Sequence, residues 1–265
     1  MSAVTDQMGR TVQVPERPMR IVSLVPSQTE LLYYLGLDAE VVGQTLFCIH
    51  PAEQHQSKPR IGGTKKLNID KIRALQPDLI IGNKEENERS QIEVLEKEFP
   101  VWMSDITSLD DALVMIEQIG TLVNQHSRAT DLAQTIRSQF AALQLSTQPL
   151  HVLYLIWREP WMGAAHDTFI GYVLQAAGWQ NVLQAPRYQR YPQLNASDIA
   201  SLDPDIIMLS SEPYPFKEQH LRELKMISPG SRVLLVDGEL FSWYGSRLLH
   251  TADYLRSLQV QLAVV

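Results

Sequence analysis

One fourteen-residue pattern occurs twice in this chain, and a duplicated unit of that length confines the fold to one with two similar halves. Asn68-Ile69-Asp70-Lys71-Ile72-Arg73-Ala74-Leu75-Gln76-Pro77-Asp78-Leu79-Ile80-Ile81 returns 127 residues later as Asn195-Ala196-Ser197-Asp198-Ile199-Ala200-Ser201-Leu202-Asp203-Pro204-Asp205-Ile206-Ile207-Met208. Each copy opens on an Asn, whose side chain can accept a bond from an unpaired N–H at a helix start. Leu75 and Leu202 close an apolar helix face, Pro77 and Pro204 stop the helix, and an apolar run enters a strand. Two such units imply two lobes, and a cleft between lobes is a preferred place for a ligand.

The rest of the chain alternates in the same way. Thr5 to Val12 reads as a hairpin turned at Gly9, and Ile21 to Val25 as a strand. Ser27 and Glu30 have the spacing of a capping box for a helix that Gly36 ends. Val41-Val42-Gly43 is a strand followed by a long loop to Leu67; a helix is expected near Arg89–Glu98 and a strand at Val101–Met103. From Leu109 to Leu145 the period is helical throughout, and the second helix of this stretch, about Ser127 to Leu145, would span ~28 Å. The second half restarts with a strand at Val152–Ile156 and a loop from Trp157 to His166. A helix ending at Gly178 follows, then the second repeat copy, a strand at Val233–Val236 and a last helix from Arg247 to Leu258. Strands alternating with helices predict parallel sheets with ligand loops at the strand carboxyl ends.

Charge narrows the function. At 265 residues and a net charge of −7, the chain lacks the basic surface that phosphate neutralisation requires, so no nucleic-acid partner is expected. No segment reaches the ~20 apolar residues of a membrane span, and Met1 to Arg20 holds no apolar signal-peptide core. Cys48 is the single cysteine, which excludes an internal disulfide.

Several loop residues are candidates for a binding surface. Phe47, Cys48 and His50 follow the second strand; the thiol and imidazole could bind a metal, but two ligands do not make a site and no CxxC or HxxxH completes it. Pocket lining is therefore the stronger reading there. Lys65, Lys84 and Glu85 lie in the loops around the first repeat, and the run Lys84 to Arg89 also suits a helix entrance. Trp157, Arg158 and Trp161 open the second lobe's first loop, either as a stacking wall with a guanidinium or as core packing with an internal ion pair. His166 precedes a helix and could reach a ligand; Trp243 and Tyr244 suit pocket or core equally. A catalytic reading would pair Cys48 with His50 or Glu85 with Lys84, but no Gly-x-Ser-x-Gly or phosphate-cradling loop accompanies them.

These residues together resemble the helical-backbone class of substrate-binding proteins, which serve ABC importers of vitamin B12, haem and ferric siderophores. The resemblance rests on Arg20 to Glu30, on Asn68 to Ile81, on Asp198 to Ile207 and on Asp237 to Leu248, and covers nearly the whole chain. It implies an α/β fold of two Rossmann-like lobes with parallel sheets joined by a long backbone helix, divided as residues 1–108, 109–147 and 148–265. It also implies a small-molecule ligand in the interlobe cleft, little closure on binding, no catalysis, no intrinsic cofactor, and a monomer that meets an ABC permease outside the cytoplasm. Without an export signal in the chain, a cytoplasmic cofactor sensor or chaperone stays open beside that reading. The B12-binding members line their pocket with aromatics; Phe47 keeps one, whereas Thr64 and Asn83 stand in place of tryptophans, which points to a more polar or charged chelate than a corrinoid. In the family an acid on each lobe pairs with permease arginines. Asp70 matches one such position, and Asp198 adjoins the other, which here is Ser197; helix capping is the competing role for both acids.

Overall fold

The structure, a computed structural model, describes residues 1–143 and 150–263. The chain divides into two compact units, one of Met1–Ile106, Asp110–Arg137 and Trp243–Leu249, the other of Thr107–Leu109, Ser138–Ser242 and His250–Val265.

The first unit begins with β1 (Ser2–Thr5) and β2 (Thr11–Val14), an antiparallel hairpin whose turn uses Gly9 at φ +75°. There follow β3 (Ile21–Ser23), α1 (Pro26–Tyr34), β4 (Val41–Gln44), α2 (Ala52–Ser57), α3 (Ile69–Leu75), β5 (Leu79–Asn83), α4 (Arg89–Leu95), β6 (Val101–Ser104), α5 (Leu109–Leu122) and α6 (His126–Ala141). The four strands form one sheet in the order β4-β3-β5-β6, parallel throughout. Strands β3, β5 and β6 are buried at every position, as parallel strands covered on both faces must be. Helices α5 and α6 bury apolar stripes, Ala112, Leu113 and Ile116 on one and Ala129, Leu132 and Ile136 on the other. The division between units falls inside α6, after Arg137. The helix ends at Ala141, short of the expected Leu145: Ala142 and Leu143 already lie outside it, and the last two residues of the expected span, 144–145, lie outside the described residues.

Two local expectations are corrected here. Ser27 and Glu30 form no capping box. Pro26 sets the helix start two residues earlier, Val25 is the cap residue without a side-chain bond, and Glu30 is drawn instead to Arg247. The loop from Gln44 to Leu67 contains α2, too short and too polar to leave a periodic signal. Gly36 does end α1, at φ +90°.

The second unit comprises β7 (His151–Trp157), β8 (Trp161–Gly163), α7 (Phe169–Ala176), β9 (Gln180–Asn181), β10 (Gln193–Leu194), α8 (Ala196–Leu202), β11 (Ile206–Ser210), α9 (Glu218–Ile227), β12 (Arg232–Val236), α10 (Glu239–Ser242) and α11 (Leu248–Ala263). Its sheet runs β10-β8-β7-β11-β12, with β9 also on β7. Strands β7, β9, β11 and β12 pair in parallel, while β8 turns back antiparallel on β7 and carries β10. The segment expected as a loop from Trp157 to His166 is thus partly strand. Three residues are too few to show a period of two, and the turn into them places Glu159 at φ +71°.

The repeat is realised twice in the same form. Asn68 and Asn195 each accept the N–H three residues on, at 3.0 Å. Ile72 and Ile199 are the fully buried helix residues, with Leu75 and Leu202 half-buried beside them. Gln76 and Asp203 both end the helix in left-handed backbone at φ 44°. The Asp after each Pro then pins the start of the neighbouring strand: Asp78 accepts the N–H groups of Met19 and Arg20 at 2.8 and 2.9 Å, and Asp205 that of His151 at 2.7 Å. Strands β5 and β11 follow, five residues each and wholly buried, in separate sheets.

Candidate functional site

In parallel sheets the loops at the strand carboxyl ends converge and hold ligands, so the candidate residues are located from those ends, unit by unit. In the first unit, Phe47 stands beyond β4 and is 57 % exposed, its ring against the backbone of Gly63. Leu46 and Ile49 are exposed beside it, an unusual run of apolar surface for one short loop. Cys48 points the other way. It is fully buried, with Sγ 3.1 Å from the hydroxyls of both Thr29 and Thr45, and burial pushes its thiol above the usual range. A protonated, enclosed thiol is a poor nucleophile, and its neighbours here are the two threonine hydroxyls. His50 sets its ring edge-on to Trp243 at 5.6 Å. Trp243 and Tyr244 are themselves buried in this unit, and the guanidinium of Arg247 lies 5.2 Å from the Trp243 ring while bonding Glu30 at 2.6 and 3.1 Å.

The charged candidates are engaged with the protein. Lys65 donates to the carbonyl of Glu85 at 2.6 Å, which brings those two loops together, and Lys84 pairs with Asp105 at 2.5 Å. Beneath them is a polar layer of which the sequence singled out only Asn83, as the place of a missing tryptophan: Asn83, Asn87, Ser104 and Gln28 are all buried and bonded to one another or to the loops. The signal for it was present, since polar residues directly after a buried apolar strand must find partners.

In the second unit the two tryptophans have different surroundings. Trp157 is 41 % exposed and meets Tyr214 edge-on at 5.5 Å; Trp161 is buried and stacks on Phe216, ring centres 6.1 Å apart. Trp161 belongs to the core of this unit with Leu153, Leu155 and Ile207. Arg158 lies 4.5 Å over the Trp161 ring and bonds Glu223, which raises its already high pKa further. Glu223, Tyr214 and Phe216 were not legible as partners because they stand more than fifty residues along the chain. His166 is half-buried, Nδ1 donating to the carbonyl of Leu183 at 3.2 Å.

The two acids differ. Asp70 is exposed and pairs with its helix neighbour Arg73 at 3.1 Å; Asp198 completes a capping box with Asn195, at 2.9 Å. Among the described residues no group of three or more His, Cys, Asp or Glu is arranged to hold a metal, and no helix is long and apolar enough to cross a membrane.

A family model for periplasmic binding proteins matches residues 21–226, more than three quarters of the chain. The chain belongs to the periplasmic binding protein family. Members of this family are binding proteins and not enzymes. Among curated members, a vitamin B12-binding protein of Pectobacterium atrosepticum is 24 % identical over 255 residues, 92 % of this chain and 90 % of the relative. An uncharacterized ABC transporter substrate-binding lipoprotein of Bacillus subtilis, YvrC, is 24 % identical over 266 residues, 95 % of this chain and 83 % of the relative. Among solved members of the fold, the periplasmic haem-binding protein RhuT of Roseiflexus sp. RS-1 superposes with a TM-score of 0.78 at 23 % identity, covering 91 % of this chain and 96 % of that one.

Proposed function

We propose that this protein is the substrate-binding component of an ABC importer and captures a tetrapyrrole-sized metal chelate, of the cobalamin, haem or ferric-siderophore class, on the loops at the carboxyl ends of its parallel strands. The observation that carries this reading is the pair of exposed aromatic faces there, Phe47 after β4 and Trp157 as the last residue of β7. Flat apolar faces left in water at strand ends suit a broad, partly apolar ligand. The B12- and haem-binding relatives support the ligand class, and the transporter relative supports delivery to a permease.

Asp70, exposed at the start of α3, is the acid available to a permease arginine in the first unit, and Asp198 its counterpart in the second. The protein works outside the cytoplasm, as a monomer. Phe47, Trp157, His50, Lys65, Lys84, Glu85, Arg158 and His166 frame the loops, with Trp161, Trp243, Tyr244 and Cys48 supporting them from beneath.

The test is titration of purified protein with hemin, cyanocobalamin and a ferric hydroxamate, followed by the ligand absorption bands and by tryptophan fluorescence. Saturable binding of one class, weakened in Phe47→Ala and Trp157→Ala, is the expected result. Absence of binding to all three would overturn the reading.

A further inference from the structure

The buried asparagines of the first unit tie four of its segments into one piece. Asn87 is 5 % exposed, and its amide is used at both ends: Oδ1 accepts the N–H of Asn83 at 2.9 Å, and Nδ2 donates to the carbonyls of Thr64 at 3.1 Å and Leu24 at 3.4 Å. Asn83 continues the lattice. Its Oδ1 accepts the N–H groups of Glu85 and Glu86 at 2.8 and 3.1 Å, which folds the Lys84–Glu86 turn, and its Nδ2 donates to Ser104 Oγ at 2.9 Å. Gln28, from the first turn of α1, donates to the same Ser104 hydroxyl at 2.6 Å. The loops after β3, β5 and β6 and the stretch around Thr64 are therefore bonded through side chains, not merely packed.

Space for this arrangement is reserved in the backbone. A β-carbon on Gly82 would stand 2.7 Å from Asn87 Oδ1, closer than real contacts allow, so a side chain at Gly82 and the amide of Asn87 cannot both be accommodated. The chemistry is also particular to the amide, because a side chain of this size must accept once and donate twice. Asp could only accept, and Leu could do neither.

We infer that Asn87 is a positioning residue for the ligand surface of the first unit. By fixing the Thr64–Lys65 stretch and the Lys84–Glu86 turn against the end of β3, it presents Lys65, Lys84 and Glu85 as one preformed surface, which lowers the ordering cost of binding. This rests on the reading of these loops as the ligand site.

The test uses the full chain and three proteins, wild type, Asn87→Ala and Asn87→Asp, with hemin and cyanocobalamin as probes and amide hydrogen exchange read by mass spectrometry. In Asn87→Ala, exchange should rise about tenfold in the 62–67 and 83–87 segments and remain unchanged in the β1–β2 hairpin, and the probe that wild type binds should lose about tenfold in affinity. Asn87→Asp keeps the acceptor for Asn83 but loses both donations, so the 62–67 segment and the stretch at Leu24 should loosen at neutral pH while the 83–87 segment stays protected. Lowering the pH to protonate the introduced carboxyl restores one donor and should restore protection. The neighbouring loops carry Lys65, Lys66, Lys84, Glu85, Glu86 and Asp105, and the same pH series on wild type removes their contribution. Uniformly faster exchange across the unit, unchanged exchange at 62–67 and 83–87, or loosened loops with wild-type affinity would each overturn the inference. If wild type binds neither probe, the ligand reading falls, and the exchange pattern alone decides whether Asn87 ties the loops.

Discussion

The guanidinium of Arg158 bonds both carboxylate oxygens of Glu223, Nε to Oε2 at 3.2 Å and Nη2 to Oε1 at 2.6 Å. An arginine held by two bonds is not a free anchor for an anionic ligand: such a ligand must compete with Glu223. Lys84 is likewise met by Asp105. Two of the cations of these loops therefore bring their own counter-charges, and salt should change ligand affinity less than it would if both were bare.

Removing one partner of the Arg158 pair has a definite cost. The pair is partly exposed and the guanidinium also covers Trp161, so Arg158→Ala should destabilise by about 1 kcal/mol, the sum of a modest ion pair and a cation–π contact. A urea midpoint lowered without a change in slope would agree. A double-mutant cycle with Glu223→Ala should return a coupling of a few tenths to about 1 kcal/mol.

Trp157 and Trp161 should separate binding from stability. Trp161→Ala removes a stacked core ring and should cost about 3 kcal/mol of stability, read by thermal melting. Trp157→Ala should melt near wild type and lose affinity instead. The opposite assignment would move the second unit's ligand surface away from Trp157.

The repeat predicts paired effects. Asn68→Ala and Asn195→Ala each remove a cap bond and should cost about 1 kcal/mol. Gln76→Gly and Asp203→Gly relieve left-handed backbone at exposed positions and should stabilise by up to about 1 kcal/mol. Asp70→Ala should leave the melting temperature unchanged, so a transport defect in that variant reports on docking. Asp198→Ala breaks a capping box and confounds the two.

Alkaline pH should unfold the protein early. Burial raises the Cys48 thiol above its usual value of about 9 and the phenols of Tyr33, Tyr154 and Tyr254 above about 10. These groups keep their protons in the folded state at pH values where the unfolded chain loses them. Their stabilisation is thus whole below pH 9 and declines as pH rises beyond it. Denaturant midpoints at pH 7.5, 9 and 10.5 should fall in that order; a flat series would count against the buried thiol and phenols. Cys48 should also resist alkylation at pH 8 until urea is added.

The sequence by itself determined the repeat and what it builds. Asn cap, buried Ile, left-handed stop, Pro-Asp and strand lie within fourteen consecutive residues, so their geometry follows from neighbours along the chain, and both copies fold alike because both carry the same local instructions. The alternation of strand and helix was legible for the same reason, as were the aromatic loops as unusual places for aromatics. Only the tertiary structure decided which of those aromatics meet water. Trp157 and Trp161 flank one tight turn, and the return of β8 on β7 sends the second ring into the core and leaves the first outside. It also assigned charges to partners: Glu223 reaches Arg158 across 65 residues, and Glu30 reaches Arg247 across 217, so Glu30 left its expected capping box. Pairings at such distances depend on where packing delivers each side chain, which no window of sequence contains. The asparagine lattice stands between these cases, because Asn83 and Asn87 are neighbours in sequence but their partners come from two other strand ends, Leu24 and Ser104, and from the loop between α2 and α3, Thr64, met only once the sheet has formed.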